Sequence, residues 1–170
     1  MEKTACLILD VQQADTALLP DGGAELVERL SRLIAWCRQQ MVPLVYFRHD
    51  GGLGEPSPID PRIQPREGEL VMDKSYNSAF LETELEDWCA QQGITQLMIA
   101  GMMTELCVDA TVKSAFERGY QVLVPQGCCA TYDNDYLTAQ QAEEYYEQKI
   151  WQDRYAQVFS LDNLLSQPTR

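Results

Sequence analysis

The sequence is poor in histidine and in positive charge. It has one histidine, His49, among 170 residues, which excludes a zinc site built from two or three histidines of one chain. Thirteen lysines and arginines stand against 26 aspartates and glutamates, so the formal net charge is −13. Such a charge repels phosphate backbones and anionic membranes, and it predicts neither a nucleic-acid nor a membrane partner.

Long apolar runs and paired cysteine motifs are also missing. No stretch approaches the roughly 20 apolar residues of a membrane span. The apolar run at residues 5–9 is too short for a signal peptide, so we expect a cytoplasmic, reducing location. No CxxC pair occurs, which excludes a zinc ribbon and a thioredoxin-like motif, and we expect no metal or cofactor. The cysteines are Cys6, Cys37, Cys89, Cys107, Cys128 and Cys129.

Short apolar runs alternate with amphipathic segments along the chain. The length suits one domain, which we predict to cover residues 1–170. The apolar runs predict six strands, at residues 4–9, 43–48, 70–72, 95–100, 120–124 and 156–160. Helical spacing predicts helices at 24–40, 81–92, 104–118 and 138–151, and a short turn at 161–165. This alternation is typical of an α/β fold with a parallel sheet and right-handed crossovers.

Reactive side chains follow three of the predicted strands. Ligands of open α/β sheets bind beyond the carboxyl ends of the strands. Asp10 ends the first strand, Lys74 closely follows the third, and Cys107 lies just after the fourth. A base, a cation and a thiol are thus predicted at one edge of the sheet. Taken singly, each has an ordinary structural alternative: a capping carboxylate, a solvated lysine and a buried cysteine.

The position of Cys107 carries a further prediction. If Thr104 is the N-cap of the predicted helix, Cys107 lies in the first turn, where the partial positive charge of the helix favours a thiolate. A lysine nearby would strengthen this effect, so we expect a thiol pKa well below about 8.5. The backbone N–H groups of the same turn would suit an oxyanion.

Three segments resemble the motifs of the isochorismatase-like cysteine hydrolases, in the same order along the chain. Segment 7–12 (LILDVQ) resembles the opening strand followed by D-x-Q. Segment 74–80 (KSYNSAF) resembles K-x-x-x-S-A-F, and segment 101–108 (GMMTELCV) resembles the G-x-x-T-[D/E]-x-C-V nucleophile segment. The resemblance covers nearly the whole chain.

The resemblance implies a fold, a site and an assembly. The fold is a three-layer αβα arrangement, a six-stranded parallel sheet with helices on both faces. Asp10, Lys74 and Cys107 would be the catalytic triad. A cis peptide bond between Met102 and Met103 would direct the N–H groups of Met103 and Cys107 into an oxyanion hole. A homodimer or homotetramer is expected, with a small molecule as substrate.

The sequence departs from the family pattern at two places. Family nicotinamidases carry a D-x-H…H metal site after the second strand, whereas this chain has Arg48, His49 and Asp50 and no second histidine. This places it outside the nicotinamidase branch in our interpretation. The family often continues D-x-Q as D-x-Q-x-D-F, and here Ala14 and Asp15 occupy the last two positions.

These observations favour hydrolysis of a C–N bond in a small amide through a thioester on Cys107. Two alternatives stay open: isochorismate-type vinyl-ether hydrolysis on the same scaffold, and a binding protein that has lost activity. His49 is expected to form hydrogen bonds within its loop, because Asp10 already serves as base. The residues assigned to substrate binding are Gln12, Arg48, Tyr76 and Phe80.

Overall fold

The computed structural model describes residues 3–52 and 54–166. Residues 1, 2, 53 and 167–170 of the predicted domain lie outside this range. The strands are β1 (Thr4–Leu9), β2 (Leu44–His49), β3 (Leu70–Lys74), β4 (Gln96–Met102), β5 (Gln121–Pro125), β6 (Cys129–Ala130) and β7 (Gln157–Phe159). The α-helices are α1 (Gln13–Thr16), α2 (Ala24–Gln39), α3 (Leu85–Gln92), α4 (Asp109–Glu117), α5 (Ala139–Tyr145) and α6 (Leu161–Leu165).

The strands form one parallel sheet in the order β3-β2-β1-β4-β5-β7, with β6 paired to the end of β4. The six predicted strands are confirmed, and the parallel α/β fold with them. Strand β6 adds only two residues and lies off the main path of the sheet. No helix in the described ranges is long and apolar enough to cross a membrane.

The central strand β1 shows why the sheet is covered on both faces. Its residues from Ala5 to Leu9 are at most 1% exposed, so the run is apolar throughout rather than alternating. Cys6 and Ile8 pack into one core with α2 and α6, whereas Leu7 and Leu9 pack into a second core with α3 and α4. Successive side chains of a strand point to opposite faces, and this separates the two cores.

Three predicted helices are changed by local backbone geometry. Helix α3 begins at Leu85 rather than residue 81, because Glu82 has a left-handed φ of 55° and Leu81 is 48% exposed. The predicted helix at 104–118 opens with a π-helical turn over Thr104–Val108 before α4 begins. The helix predicted for 138–151 comprises α5 followed by a second π-helical segment, Tyr146–Trp151.

The strand order reverses beside β1, and this reversal creates the crevice of the sheet. The chain passes from β1 to β2 and β3, then returns to place β4 on the other side of β1. Loops leaving β1 and β4 therefore diverge, which is the position where such sheets bind ligands. Gly101 permits the close pairing here: a Cβ on it would lie 2.1 Å from the Leu9 carbonyl oxygen, and its φ is 128°.

We expect Gly101→Ala to lower the free energy of unfolding by at least about 2 kcal/mol, because the added methyl group meets backbone that cannot yield. Gly119→Ala is the matched control, since Gly119 also has a positive φ (85°) but open space around it. It should cost only about 1 kcal/mol for the unfavourable φ. Urea denaturation of both variants measures the difference, and equal losses would contradict the steric argument.

Candidate active site

Three reactive side chains meet at the crevice, each at the end of a different strand. Asp10 follows β1 directly and has a left-handed φ of 52°, Lys74 is the last residue of β3, and Cys107 lies in the π-helical turn after β4. They are 6%, 3% and 9% exposed, respectively. The tertiary structure thus brings together residues that are up to 97 positions apart in the sequence.

Lys74 is a buried cation that holds Asp10 in place. Its Nζ lies 2.7 Å from Asp10 Oδ2 and donates hydrogen bonds to the carbonyl oxygens of Tyr76 (3.0 Å) and Asn77 (3.2 Å). Three oxygen atoms therefore surround the three protons of an ammonium group whose side chain has no exposed surface. This arrangement fixes the charge of Lys74 beneath the site rather than in the cavity.

The carboxylate of Asp10 keeps its oxygens available. Its Oδ2 forms the 2.7 Å ion pair with Lys74 Nζ. Neither Oδ1 nor Oδ2 has a hydrogen bond within the described part of the chain, although both atoms are buried. A buried carboxylate with so few hydrogen bonds is uncommon, and this one can accept a proton from a neighbouring group.

Cys107 is held by the π-helical turn that surrounds it. The N–H groups of Leu106 and Val108, on either side of it, both donate to the Met103 carbonyl oxygen, at 3.0 and 3.2 Å. Met103, not Thr104, precedes the turn as its N-cap, so the predicted capping role of Thr104 is wrong. The Thr104 hydroxyl is buried and makes no hydrogen bond within the described ranges.

The predicted acidity of the Cys107 thiol is also wrong. Burial raises the pKa of Cys107 to about 12, and the negative charge of Asp10 adds to this increase. The positive charge of Lys74 acts in the opposite direction but is outweighed. Desolvation and an adjacent anion therefore overcome the effect of the helix end, and the thiol is protonated at neutral pH.

A cavity of about 350 Å³ opens above this group, within the range of small-molecule sites. Its lining residues are Asp10, Gln12, Ala14, Asp15, His49, Asp50, Gly51, Ser57, Asn77, Met102, Met103, Leu106 and Cys107. The Met102–Met103 peptide bond is cis, as the resemblance implies, and both residues contribute to the wall. The cavity thus contains Asp10 and Cys107, while Lys74 lies behind them.

Gln12 lines the cavity, but its side-chain amide forms hydrogen bonds with other residues of the chain. Its Oε1 accepts the His49 N–H (2.7 Å), and its Nε2 donates to the carbonyl oxygens of His49 (3.2 Å) and Ser57 (3.0 Å). The amide therefore joins the end of β2 to the long loop that forms one wall. Gln12 thereby positions this wall, and its predicted role in substrate binding stays a prediction, since it also lines the cavity.

The other three predicted substrate-binding residues do not line this cavity. Arg48 lies beside Asp73 in the sheet register and forms a bidentate ion pair with it, at 2.7 and 2.8 Å. Tyr76 is 44% exposed, and Phe80 is buried in the core against Tyr120. Strand alternation explains Arg48, because a neighbour of a cavity-facing residue points to the opposite face.

Several cavity residues were not assigned from the sequence. His49 is the last residue of β2, Asp50 and Ser57 come from the long loop after it, and Asn77 comes from the turn after β3. The path of that loop is a tertiary property, so the sequence did not show which of its residues line the cavity. The His49 Nδ1 accepts the Gly51 N–H at 2.8 Å, which confirms its predicted role in loop hydrogen bonding. In the described ranges, no three His, Cys, Asp or Glu side chains are grouped to hold a metal ion.

Comparison with known proteins identifies related sequences and folds. The Isochorismatase domain matches residues 4–151. The isochorismatase family protein YddQ of Bacillus subtilis is 29% identical over 143 residues, which cover 75% of this chain and 78% of YddQ. The crystal structure of an isochorismatase hydrolase from Oleispira antarctica superimposes with a TM-score of 0.84 at 27% identity, and the match covers 98% of this chain and 97% of that one.

Other relatives carry the names of hydrolases and amidases. Streptothricin hydrolase of Streptomyces noursei is 32% identical over 143 residues, covering 76% of this chain but only 55% of that enzyme. This chain therefore spans about half the length of that relative. Shorter matches are found to maleamate amidohydrolase of Pseudomonas putida (32% over 73 residues, 43% of this chain and 34% of the enzyme) and to N-carbamoylsarcosine amidase of Arthrobacter (37% over 68 residues, 40% and 26%). Nicotinamidase 3 of Arabidopsis thaliana is 25% identical over 152 residues, covering 77% of this chain and 75% of that enzyme.

Proposed function

Because this chain belongs to the isochorismatase family of hydrolases, we propose that it cleaves a C–N bond of a small amide with Cys107 as the nucleophile. The observation that carries the proposal is the buried Asp10–Lys74 pair beneath Cys107 at the floor of the cavity. The amidase names of several relatives support the reaction class.

The first step of the proposed reaction forms a thioester. Asp10 takes the proton of the Cys107 thiol while the sulfur attacks the carbonyl carbon, and the π electrons move to the carbonyl oxygen. Lys74 remains an ammonium ion and stabilises the negative charge as it passes from Asp10 to sulfur. The N–H groups of Met103 and Cys107 are the proposed donors to the oxyanion, a contribution of roughly 3–4 kcal/mol per donor in other enzymes.

The collapse of this intermediate breaks the C–N bond, and Asp10 returns its proton to the leaving nitrogen. Water then attacks the thioester, with Asp10 accepting one of its protons. The C–S bond breaks, the acid is released, and Cys107 recovers its proton. The raised pKa of Cys107 is compatible with this scheme, because the thiol loses its proton only as the sulfur attacks the carbonyl carbon of a bound substrate.

Two finer assignments belong to the same proposal. The nucleophilic position of Cys107 favours acyl transfer over vinyl-ether hydrolysis, which needs no covalent thioester. The single histidine favours a branch apart from the metal-dependent nicotinamidases, since its Nδ1 already accepts a backbone N–H. We further propose that the chain works as a homodimer or homotetramer on a small-molecule substrate.

The test is a panel of small primary amides, with ammonia release as the readout and isochorismate cleavage (pyruvate release) run in parallel. We expect ammonia from at least one amide, and a covalent adduct of acyl mass on the Cys107 peptide after acid quenching. Cys107→Ser should release no ammonia. Turnover by that variant at the rate of the natural chain, or pyruvate release alone, would overturn the amidase proposal.

A further inference from the structure

One side chain of the cavity has no role in the chemistry above. Asp15, in α1, lines the cavity together with Asp10 and Cys107. Its carboxylate makes no hydrogen bond and no ion pair within residues 3–52 and 54–166. Its main chain is well fixed: the Asp15 N–H donates to the Gln12 carbonyl oxygen (3.0 Å), and its own carbonyl oxygen accepts the Tyr132 hydroxyl (2.6 Å). The backbone of Asp15 is therefore fixed at the cavity wall, whereas its carboxylate has no partner of its own.

An unpaired carboxylate in a cavity wall is unfavourable in the empty protein. Burial raises the pKa of Asp15, the negative charge of Asp10 raises it further, and only His49 acts in the opposite direction. Proteins normally pair a partly buried charge, because its lost hydration is otherwise uncompensated. Asp15 lacks a cation or a strong hydrogen-bond donor as its partner. A ligand bound in the open cavity would supply that partner.

The other charged residues at and around the cavity also favour a cationic ligand. No lysine or arginine is among the described residues that line it. Lys74 is enclosed by three oxygen atoms, and Arg48 is paired with Asp73 outside the wall. A carboxylate on a substrate would therefore find no lysine or arginine side chain to bind in the wall, and an anionic substrate is disfavoured.

The three aspartates of the cavity differ in what they contact. Asp50 is already satisfied, since its oxygens accept the Gly52 N–H (2.7 Å) and the Ser75 hydroxyl (2.6 Å). Asp10 is 6% exposed, and its two oxygens lack hydrogen bonds within the described ranges, but it is beside the nucleophile and paired with Lys74. Asp15 alone combines a cavity position with a carboxylate that the protein leaves free. It also occupies the place where the family pattern often has an aromatic residue.

We infer that Asp15 determines specificity, and that the natural substrate is a small amide bearing a protonated amine, whose ammonium group binds the Asp15 carboxylate. This inference rests on the proposed amide hydrolysis. The amine is recognised away from the bond that breaks, so it orients the acyl group over Cys107 without taking part in the reaction. Charge complementarity of this kind decides between ligands of similar shape.

Matched amides test the inference when turnover is measured. 4-Aminobutanamide and pentanamide differ only in an ammonium in place of a methyl group, and 5-aminopentanamide and hexanamide form a longer pair. We expect kcat/KM to favour the cationic member of at least one pair by about tenfold or more. Asp15→Asn should reduce that ratio by about tenfold, whereas Asp135→Asn, at an exposed position that does not line the cavity, should leave it unchanged.

A second measurement separates this inference from the proposed reaction, because it needs no turnover. Cys107 is modified with methanethiosulfonates that carry a 2-aminoethyl, a methyl or a 2-sulfonatoethyl group, and each rate is divided by that of 2-mercaptoethanol. We expect the cationic reagent to be favoured over the anionic one, and Asp15→Asn to reduce this preference by about tenfold. Mass spectrometry of the peptide, with Cys107→Ala as control, confirms the labelled position.

The outcomes are distinguishable. A cationic preference in labelling that depends on Asp15, with no amide hydrolysed, would retain the cation site and overturn the proposed reaction. Amide hydrolysis with equal rates for both members of each pair, or a ratio that Asp15→Asn does not change, would overturn the role of Asp15 and leave the reaction standing. Circular dichroism and urea denaturation of Asp15→Asn establish that the variant is folded.

Discussion

Asp10→Asn is expected to lower kcat/KM for the proposed amide hydrolysis by about a thousandfold or more, because the proposed base for the thiol proton is lost. Asparagine has the shape of aspartate but accepts no proton at neutral pH. The oxyanion donors and the cavity remain, so substrate binding should be changed far less than kcat. Ammonia release at saturating and at low substrate separates these two effects.

The same variant should change the reactivity of the nucleophile in the opposite sense. The Asp10 charge raises the pKa of Cys107, and Lys74 lowers it, so removing the anion leaves the favourable cation alone. The thiol pKa then falls, and a larger fraction is thiolate at a given pH below about 12. We expect alkylation by iodoacetamide at pH 8.5 to be faster by about tenfold, while turnover is lost.

Cys107 is the thiol that such an experiment reports, because the other five cysteines are at most 2% exposed. Asp135→Asn serves as the surface control and should change neither turnover nor alkylation. Turnover in Asp10→Asn close to that of the natural chain would remove Asp10 from the mechanism. Slower alkylation would contradict the assigned effect of its charge on the thiol.

Lys74→Met should abolish turnover as well, but with a large loss of stability. The ammonium group is buried against Asp10, and removing it leaves a buried carboxylate without its counter-charge. Breaking a buried ion pair in this way typically costs about 3–5 kcal/mol. Lys149→Met, at an exposed position, is the control and should cost little. Urea denaturation measures both variants.

Two further results identify the cause of that loss. Combining Lys74→Met with Asp10→Asn removes both charges, so the double variant should be more stable than Lys74→Met alone. Alkylation of Cys107 in Lys74→Met should be slower than in the natural chain, since the cation that lowers the thiol pKa is gone. A double variant as unstable as the sum of the single changes would mean that Lys74 contributes by packing, not by charge.

The local sequence was sufficient for most of the fold. Strand β1 is apolar from Ala5 to Leu9 because these residues are buried on both faces of the sheet, and this apolar run is apparent from the sequence alone. The Thr138–Gln141 capping box opens α5, and its two hydrogen bonds depend only on residues three positions apart. Helix α3 was placed four residues too early, because the left-handed conformation at Glu82 has no local signature in that segment.

The residues of the candidate site were likewise predictable only in part. Asp10, Lys74 and Cys107 were recognisable because parallel strands bring their carboxyl ends to one edge, a consequence of chain order. The sequence did not reveal that Arg48, Tyr76 and Phe80 lie outside the cavity wall. Strand alternation and long-range pairing determine where these side chains lie.

The sequence by itself determined the parallel α/β fold, the order of its strands along the chain and the three residues that we propose to react. Only the tertiary structure decided how they behave. Burial and the charge of Asp10, both set by residues distant in sequence, raise the pKa of Cys107 that the helix end alone would lower. The same packing pairs Arg48 with Asp73 and leaves Asp15 facing the cavity without a partner. Desolvation and long-range pairing arise only in the folded chain, so a local sequence pattern does not predict them.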